Sequence, residues 1–274
     1  MMADSGSTEA TTGQLTGENS QTPHSWILPQ ETPIDIKING QTYAIMLATP
    51  LDLEDFALGF CLSEGLVKNS QAIIGMVAKQ LKHGFEVDVE LSDEALDRFN
   101  IIDKRRNMAG ASGCGICGLT SLSHIVEPLP KIQSDLLVSV NAFIKAKKQL
   151  SNFTPLYNQS RSVHAAAFAD VGGNILYAKE DVGRHNALDK LIGTLSKNQQ
   201  DFGQGFIILT SRFAFELAQK SARMGFAVVV SISAPTSMAV ELATKTNMTF
   251  AAFSGGSELM VFSEIDRICL KPVD

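Results

Sequence analysis

The chain has 274 residues, 45 % of them apolar, enough for a buried core in one large domain or in a main domain with a small companion. A formal net charge of −6 argues against general nucleic-acid binding, which needs Lys and Arg to displace counterions; Lys104-Arg105-Arg106 is the best candidate for a local basic patch. Four cysteines are too few for a disulfide scaffold, the first lysine is Lys37, and no apolar run approaches the roughly 20 residues of a membrane helix, so a soluble cytoplasmic protein with reduced thiols, and no membrane contact, is expected.

Residues 1–24, rich in Ser, Thr, Gly and Gln, predict a disordered tail. Order is expected from Trp26. Ile34, Ile36 and Ile38 alternate with polar residues as in a strand, Asn39-Gly40 is a two-residue hairpin turn, and 41–47 is the return strand. Thr49-Pro50-Leu51-Asp52 reads as a helix start with Thr49 as N-cap and Pro50 at the first helical position. Leu53, Phe56, Ala57 and Phe60 make that helix's apolar face, and Gly65 ends it. A strand at 85–91 and a short helix at 92–100 complete a small α+β domain over 25–105. Residues 106–120 hold Cys114 and Cys117 among Gly110, Gly113, Gly115 and Gly118, which predicts a mobile loop.

The remainder, 121–274, reads as an α/β domain. A helix is expected at 138–150 and a strand at 174–177. Another helix, 186–192, closes at Gly193. Strands at 206–209, 227–232 and 249–253 alternate with helices at 213–224 and 237–246, which implies parallel strands covered by helices. Gly255-Gly256 turns the chain into a last strand at 259–262. Ligands in such folds sit at the C-terminal ends of strands. Here those ends are Thr210-Ser211-Arg212, Ser233-Ala234-Pro235-Thr236-Ser237 and Ser254-Gly255-Gly256, all small, polar or glycine-rich.

Four readings compete for Cys114-x-x-Cys117. A zinc site lacks ligands: Cys61 and Cys269 are isolated, and His124 is the only histidine near in sequence. A thioredoxin-like motif would follow a buried strand, and Met108 to Gly113 is not one. Two small core residues would not need four glycines around them. A persulfide carrier suits the glycines, which give a bulky partner access to the sulfur. A second thiol three residues away can attack the loaded sulfur or relieve it as a disulfide. A second constellation, Glu180-Asp181-Val182-Gly183-Arg184-His185-Asn186, follows a strand and opens a helix. Beside the bland reading of a solvated charged turn, its density suggests a site, with Arg184 for a phosphate, His185 for hydrogen bonding or proton transfer, and Asp181 to orient both. His164 is a candidate for the same region.

Taken together, several strings resemble the FdhD/NarQ family: Thr49-Pro50-x-Asp52-x-Glu54-x-x-Ala57-x-Gly59-Phe60, then Glu64-Gly65; Ser112-Gly113-Cys114-Gly115-Ile116-Cys117-Gly118; His164-Ala165-Ala166; and Glu180 to Lys190. The resemblance implies a sulfurtransferase acting as sulfur carrier for formate dehydrogenase. Such a carrier takes a persulfide from a cysteine desulfurase on Cys114, with Cys117 as partner. It hands the sulfur to a molybdenum bis-molybdopterin guanine dinucleotide cofactor, which is cargo; no resident metal is implied. The implied fold is a cytidine-deaminase-like three-layer C-terminal α/β domain, and the implied assembly a homodimer. The implied cofactor contacts are Phe253, Ser254, Gly255, Gly256, Ser257 and Glu258, together with Arg212, Arg184, His185, Asp181 and His164. Departures touch cofactor contact. Thr210-Ser211-Arg212 stands for a Ser-Gly-Arg string, Ser160-Arg161-Ser162-Val163 precedes His164, and no arginine follows Phe253. Deaminase activity is not expected, since His-x-Glu is absent and Gly113 replaces the Pro before Cys114. The alternatives are a chaperone that inserts the finished cofactor without sulfur transfer, and a thiol–disulfide oxidoreductase.

Overall fold

The computed structural model of the chain describes residues 7–17, 20–97, 99–100 and 129–270. Two ten-residue strands come first, β1 (Thr8–Gly17) and β2 (Ser20–Pro29), paired as an antiparallel hairpin. Next are β3 (Thr32–Ile38) and β4 (Gln41–Ala48), joined by Asn39 and Gly40, both at the positive φ that a tight hairpin turn requires. Then follow α1 (Leu53–Ser63), β5 (Ile73–Leu81), β6 (Gly84–Leu91) and a short helix, α2, at residues 93–97. The order β4-β3-β6-β5 makes a four-stranded sheet in which β3 and β6 run parallel. Ile34, Ile36, Ile38, Val87 and Val89 are buried from it, the period-2 face that the sequence displays.

The second half is built on β7 (Val138–Ser139), α3 (Val140–Phe153), α4 (Pro155–Ser160), β8 (His164–Asp170), β9 (Ile175–Asp181) and α5 (Arg184–Lys197). It continues through β10 (Gly205–Leu209), α6 (Phe215–Arg223), β11 (Val228–Ser231), α7 (Ser237–Lys245), β12 (Thr249–Gly255) and β13 (Glu258–Ser263). A last short strand, β14 (Ile268–Cys269), pairs with β7. The six-stranded sheet has the order β13-β12-β11-β10-β8-β9. As the alternation implies, β10, β11 and β12 are parallel, while β8, β9 and β13 are antiparallel to their neighbours. Phe206 meets Phe143 of α3 on one face, with ring centroids 4.8 Å apart. Asp181 meets Asn186 and Lys190 of α5 on the other, so helices cover both faces. No helix among the described residues is long and apolar enough to cross a membrane.

Several expectations change. Residues 8–17 and 20–29 pair as strands instead of forming a structureless tail. The backbone groups are satisfied by a register such as Thr11 opposite Trp26, and Trp26 Nε1 donates to the Ser160 carbonyl (3.3 Å). Their side chains stay mostly exposed, as that composition dictates. Helix α1 begins at Leu53, not beside Thr49, because Thr49 is used elsewhere and Asp52 turns the chain at φ 53°. Helix α5 begins at Arg184 and runs straight through Gly193. Strands β5 and β8 are additions; β8 carries the Ala165–Ala166–Ala167 run. Among the described residues, one apolar cluster includes Phe56 and Phe60 of α1 and Leu188, Leu191 and Ile192 of α5. Cys114, Cys117, their loop and Lys104-Arg105-Arg106 lie outside the described residues.

Gly193 has a packing role. A Cβ there would stand 1.8 Å from the Asp55 carbonyl oxygen, and a Cβ on Gly59 would stand 1.7 Å from that of Asp189. The two helices therefore cross antiparallel with backbone against backbone. Alanine is the better helix former by about 1 kcal/mol, so intrinsic propensity favours Gly193→Ala. The clash is with backbone and cannot rotate away, so overpacking wins. Gly193→Ala is expected to destabilise the protein by about 2 kcal/mol or more in urea unfolding; an unchanged or raised midpoint would show that the crossing is loose.

Candidate functional site

Because β10, β11 and β12 are parallel, their C-terminal ends share one edge of the sheet. Strand β8 runs the other way, so its first residue, His164, sits at that same edge, opposite Asp181 at the end of β9. Helix α5 starts three residues later. The edge thus gathers His164, Arg184, His185, Thr210-Ser211-Arg212, the 233–237 segment and the tip of the β12–β13 hairpin, as the strand-end argument requires. Its loops are tied together: Thr210 exchanges backbone and side-chain bonds with Ala165 (3.0 and 2.8 Å), and Ser233 Oγ donates to the Thr210 carbonyl (3.3 Å).

Asp181 plays a different part from the expected one. It is fully buried and does not orient Arg184 and His185 by hydrogen bonds. Its carboxylate accepts from the Thr49 amide (3.0 Å), the Gly183 amide (2.8 Å) and Asn186 Nδ2 (2.9 Å), and pairs with Lys190 Nζ at 2.6 Å. Thr49 completes this knot. Its hydroxyl accepts from the Val182 amide (3.1 Å) and its carbonyl accepts from Lys190 (2.8 Å). Burial lowers the Lys190 pKa, with Asp181 opposing. Glu180 points away and accepts from the Leu156 and Tyr157 amides at the start of α4 (2.9 and 2.7 Å). The conspicuous charged string is thus split between a buried clamp, a helix cap and two residues at the edge.

Those two residues are held by Glu216, at the start of α6, which nothing local in the sequence singles out. Arg184 Nε donates to Glu216 Oε1 at 2.8 Å and Arg184 Nη2 also donates to it, while His185 Nε2 lies 3.0 Å from the same oxygen. Burial would raise the Glu216 pKa, but hydrogen bonds from His185, its own backbone amide and Arg184 outweigh that and bring it to about 2. His164 is half-buried. Burial first, then the charges of Arg184, His185 and Arg212, lower its pKa, so it is neutral at neutral pH. Arg212 is exposed. The edge therefore presents the exposed Arg212 guanidinium, the part of Arg184 that Glu216 does not engage, and neutral imidazole nitrogen, groups that can receive an anionic ligand.

At the far end of this edge, Phe253 is buried while Ser254, Gly255, Gly256, Ser257 and Glu258 are exposed. Gly255 and Gly256 have φ of 132° and 50°. Lys147 of α3 reaches this tip: its Nζ donates to the Gly256 carbonyl (2.7 Å) and lies 4.1 Å from the Phe253 ring centroid. Nothing local in the sequence marks it, since Lys147 is one of several lysines on an amphipathic helix.

Residues 29–269 match the family model described as "FdhD/NarQ family". The chain belongs to the FdhD/NarQ family. Among its relatives, a protein of Xanthomonas euvesicatoria pv. vesicatoria (strain 85-10) named sulfur carrier protein FdhD is 40 % identical over 243 residues, covering 88 % of this chain and 85 % of the relative. A Bordetella petrii protein (strain ATCC BAA-461 / DSM 12804 / CCUG 43448) of the same name is 36 % identical, covering 89 % and 87 %. The fold is similar to a crystal structure from Desulfotalea psychrophila, of a protein assigned as a formate dehydrogenase accessory protein. The TM-score is 0.74 at 22 % identity, over 96 % of this chain and 100 % of that one.

Two sets of variants probe how the edge of this FdhD/NarQ family member is held. Asp181→Asn leaves Lys190 buried without its counter-charge and should cost about 3–5 kcal/mol in chemical unfolding, whereas Asp181→Asn with Lys190→Met should recover much of that loss. Equal losses in both variants would show that the pair is not coupled. For Glu216, a folded pKa of about 2 against 4.5 means its contribution is complete above the higher value and disappears as pH falls to the lower. Glu216→Gln should therefore be less stable than the parent near pH ~6 and converge with it toward pH ~2; a constant gap across that range would contradict the assignment.

Proposed function

We propose that this protein is a sulfur carrier for formate dehydrogenase, taking sulfur as a persulfide on Cys114 and passing it to a guanine-dinucleotide molybdenum cofactor held along the strand-end edge. The observation that carries this reading is the edge itself: Arg184 and Arg212 near a neutral His164, in a chain that belongs to the FdhD/NarQ family and is 40 % identical to a relative named as a sulfur carrier.

Among the other cysteines, Cys61 is fully buried, and burial chiefly pushes its pKa up to about 12, so it is not a nucleophile. In the proposed reaction the Cys114 thiolate attacks the outer sulfur of a desulfurase persulfide. A Cys114–sulfur bond forms, the donor's sulfur–sulfur bond breaks, and the donor leaves as thiolate. Cys117 can then attack the inner sulfur of Cys114. This releases the outer sulfur as sulfide, with two electrons from the thiols, and leaves a Cys114–Cys117 disulfide for an external thiol to reduce. Arg184 and Arg212 would bind phosphates of the cargo, and His164 would accept a hydrogen bond from it. A cysteine desulfurase and formate dehydrogenase are the partners, and a homodimer, a cytoplasmic setting and a deaminase-like arrangement of the six-stranded layer go with this reading.

The test is intact mass after incubation with a cysteine desulfurase and cysteine. The parent chain should gain one sulfur that reductant removes. Cys114→Ala should gain none and should fail to mature formate dehydrogenase while keeping its unfolding midpoint. Maturation by Cys114→Ala at the parent level would overturn the carrier reading in favour of a chaperone that only delivers the finished cofactor.

A further inference from the structure

We propose that Lys147 is a specificity-determining residue for the cargo: the cation that binds a phosphate at the β12–β13 tip, an inference that rests on the cofactor-handling reading above. The tip is open. A Cβ added to Gly255 or Gly256 would find nothing within 4 Å among the described residues, so these glycines serve the backbone conformation, and both residues are exposed. The tip's own side chains, Ser254, Ser257 and Glu258, include no cation. The tip's own side chains would offer a ligand phosphate hydroxyls and a carboxylate; among the described residues α3 adds a cation.

Lys147 supplies what is missing. Its ammonium is fixed by one bond to the Gly256 carbonyl (2.7 Å) and by the face of the Phe253 ring (4.1 Å). An ammonium has three donors, and among the described residues one is used, which leaves two for an anion. Because the ammonium already covers that face of Phe253, this end of the edge is set to take phosphate there and not a stacked base. Arg184 and Arg212 lie toward the β8 and β10 ends. Strands β12 and β8 are three places apart in the sheet, about 14 Å at ordinary strand spacing. A cargo with phosphates at more than one point can thus be held at both ends of the edge, from opposite faces of the sheet.

The competing reading is that Lys147 only latches the hairpin, and the two differ in salt dependence. Guanosine diphosphate would be titrated calorimetrically into the parent, Lys147→Met and Lys147→Arg, at salt of about 50 mM and about 500 mM. Lys147→Met should bind about tenfold more weakly at low salt, equivalent to about 1.4 kcal/mol. That gap should close at high salt, and Lys147→Arg should stay near the parent. No gap at low salt, or a gap equally large at both salts, would overturn the proposal. A parent chain that binds no guanosine diphosphate would overturn the cofactor-handling reading itself, and this inference with it.

Discussion

Helices α1 and α5 cross backbone against backbone, and that contact ties the two halves of the chain together. It is reciprocal: the Asp55 carbonyl fills the space beside Gly193, and the Asp189 carbonyl fills the space beside Gly59. In each helix the aspartate precedes the glycine by four residues, one helical turn. The side chains repeat the pattern in part. Thr194, next to Gly193, donates to Asp55 (2.7 Å), and Ser63 donates to Asp189 (2.6 Å). A glycine inside a helix costs about 1 kcal/mol relative to alanine, and here the close approach of two helices offsets it. Since α1 continues from β4 and α5 from β9, this one contact sets how the four-stranded and six-stranded sheets lie together.

Buried charges then fix the register of that contact. At one end Asp181 and Lys190 are paired with no exposure, and both also bond to Thr49. At the other, Lys220 of α6 donates to Asp189, Glu64 and Ser63. Burial would lower the Lys220 pKa, but Asp189 and Glu64 outweigh it and raise it. Apolar residues of similar size could pack as stably as such ion pairs, but they would accept a slipped register, whereas an unpaired buried charge does not. The consequence for the edge is direct. Arg184 and His185 are the first residues of a helix whose body cannot slide, and Glu216 completes their placement from the start of α6.

Legibility in the sequence followed burial. Where one face of a strand or helix is buried, the alternation of Ile34, Ile36 and Ile38 or the run from Phe206 to Leu209 announces it. The Asn39-Gly40 turn and the stop at Gly65 are set by local backbone conformation, so they too were readable. The β1–β2 hairpin buries almost nothing and leaves no periodic signal. The alanines of β8 carry little preference of either kind. Gly193 misleads because glycine ends helices and also permits helices to touch, and only the partner helix tells which. Histidine and arginine at the edge could be named from their density, but Glu216 and Lys147 reach it from α6 and α3 by long-range packing, which a local pattern cannot encode. The cysteine loop lies outside the described residues, and its chemistry rests on the sequence.

The reciprocal crossing also has a bearing on how the chain acquires its shape as it is made. Gly59 cannot meet its partner until Gly193 has left the ribosome, well over a hundred residues later. At roughly 5–20 residues per second, that delay is on the order of ten seconds. During it the face of α1 that carries Asp55, Gly59 and Ser63, closed against α5 in the finished protein, has no α5 to cover it. Contacts so distant along the chain are also the slow ones in refolding. The nascent N-terminal half therefore carries a helix face shaped for a partner that is not yet there, for a reason that lies in two glycines and the distance between them.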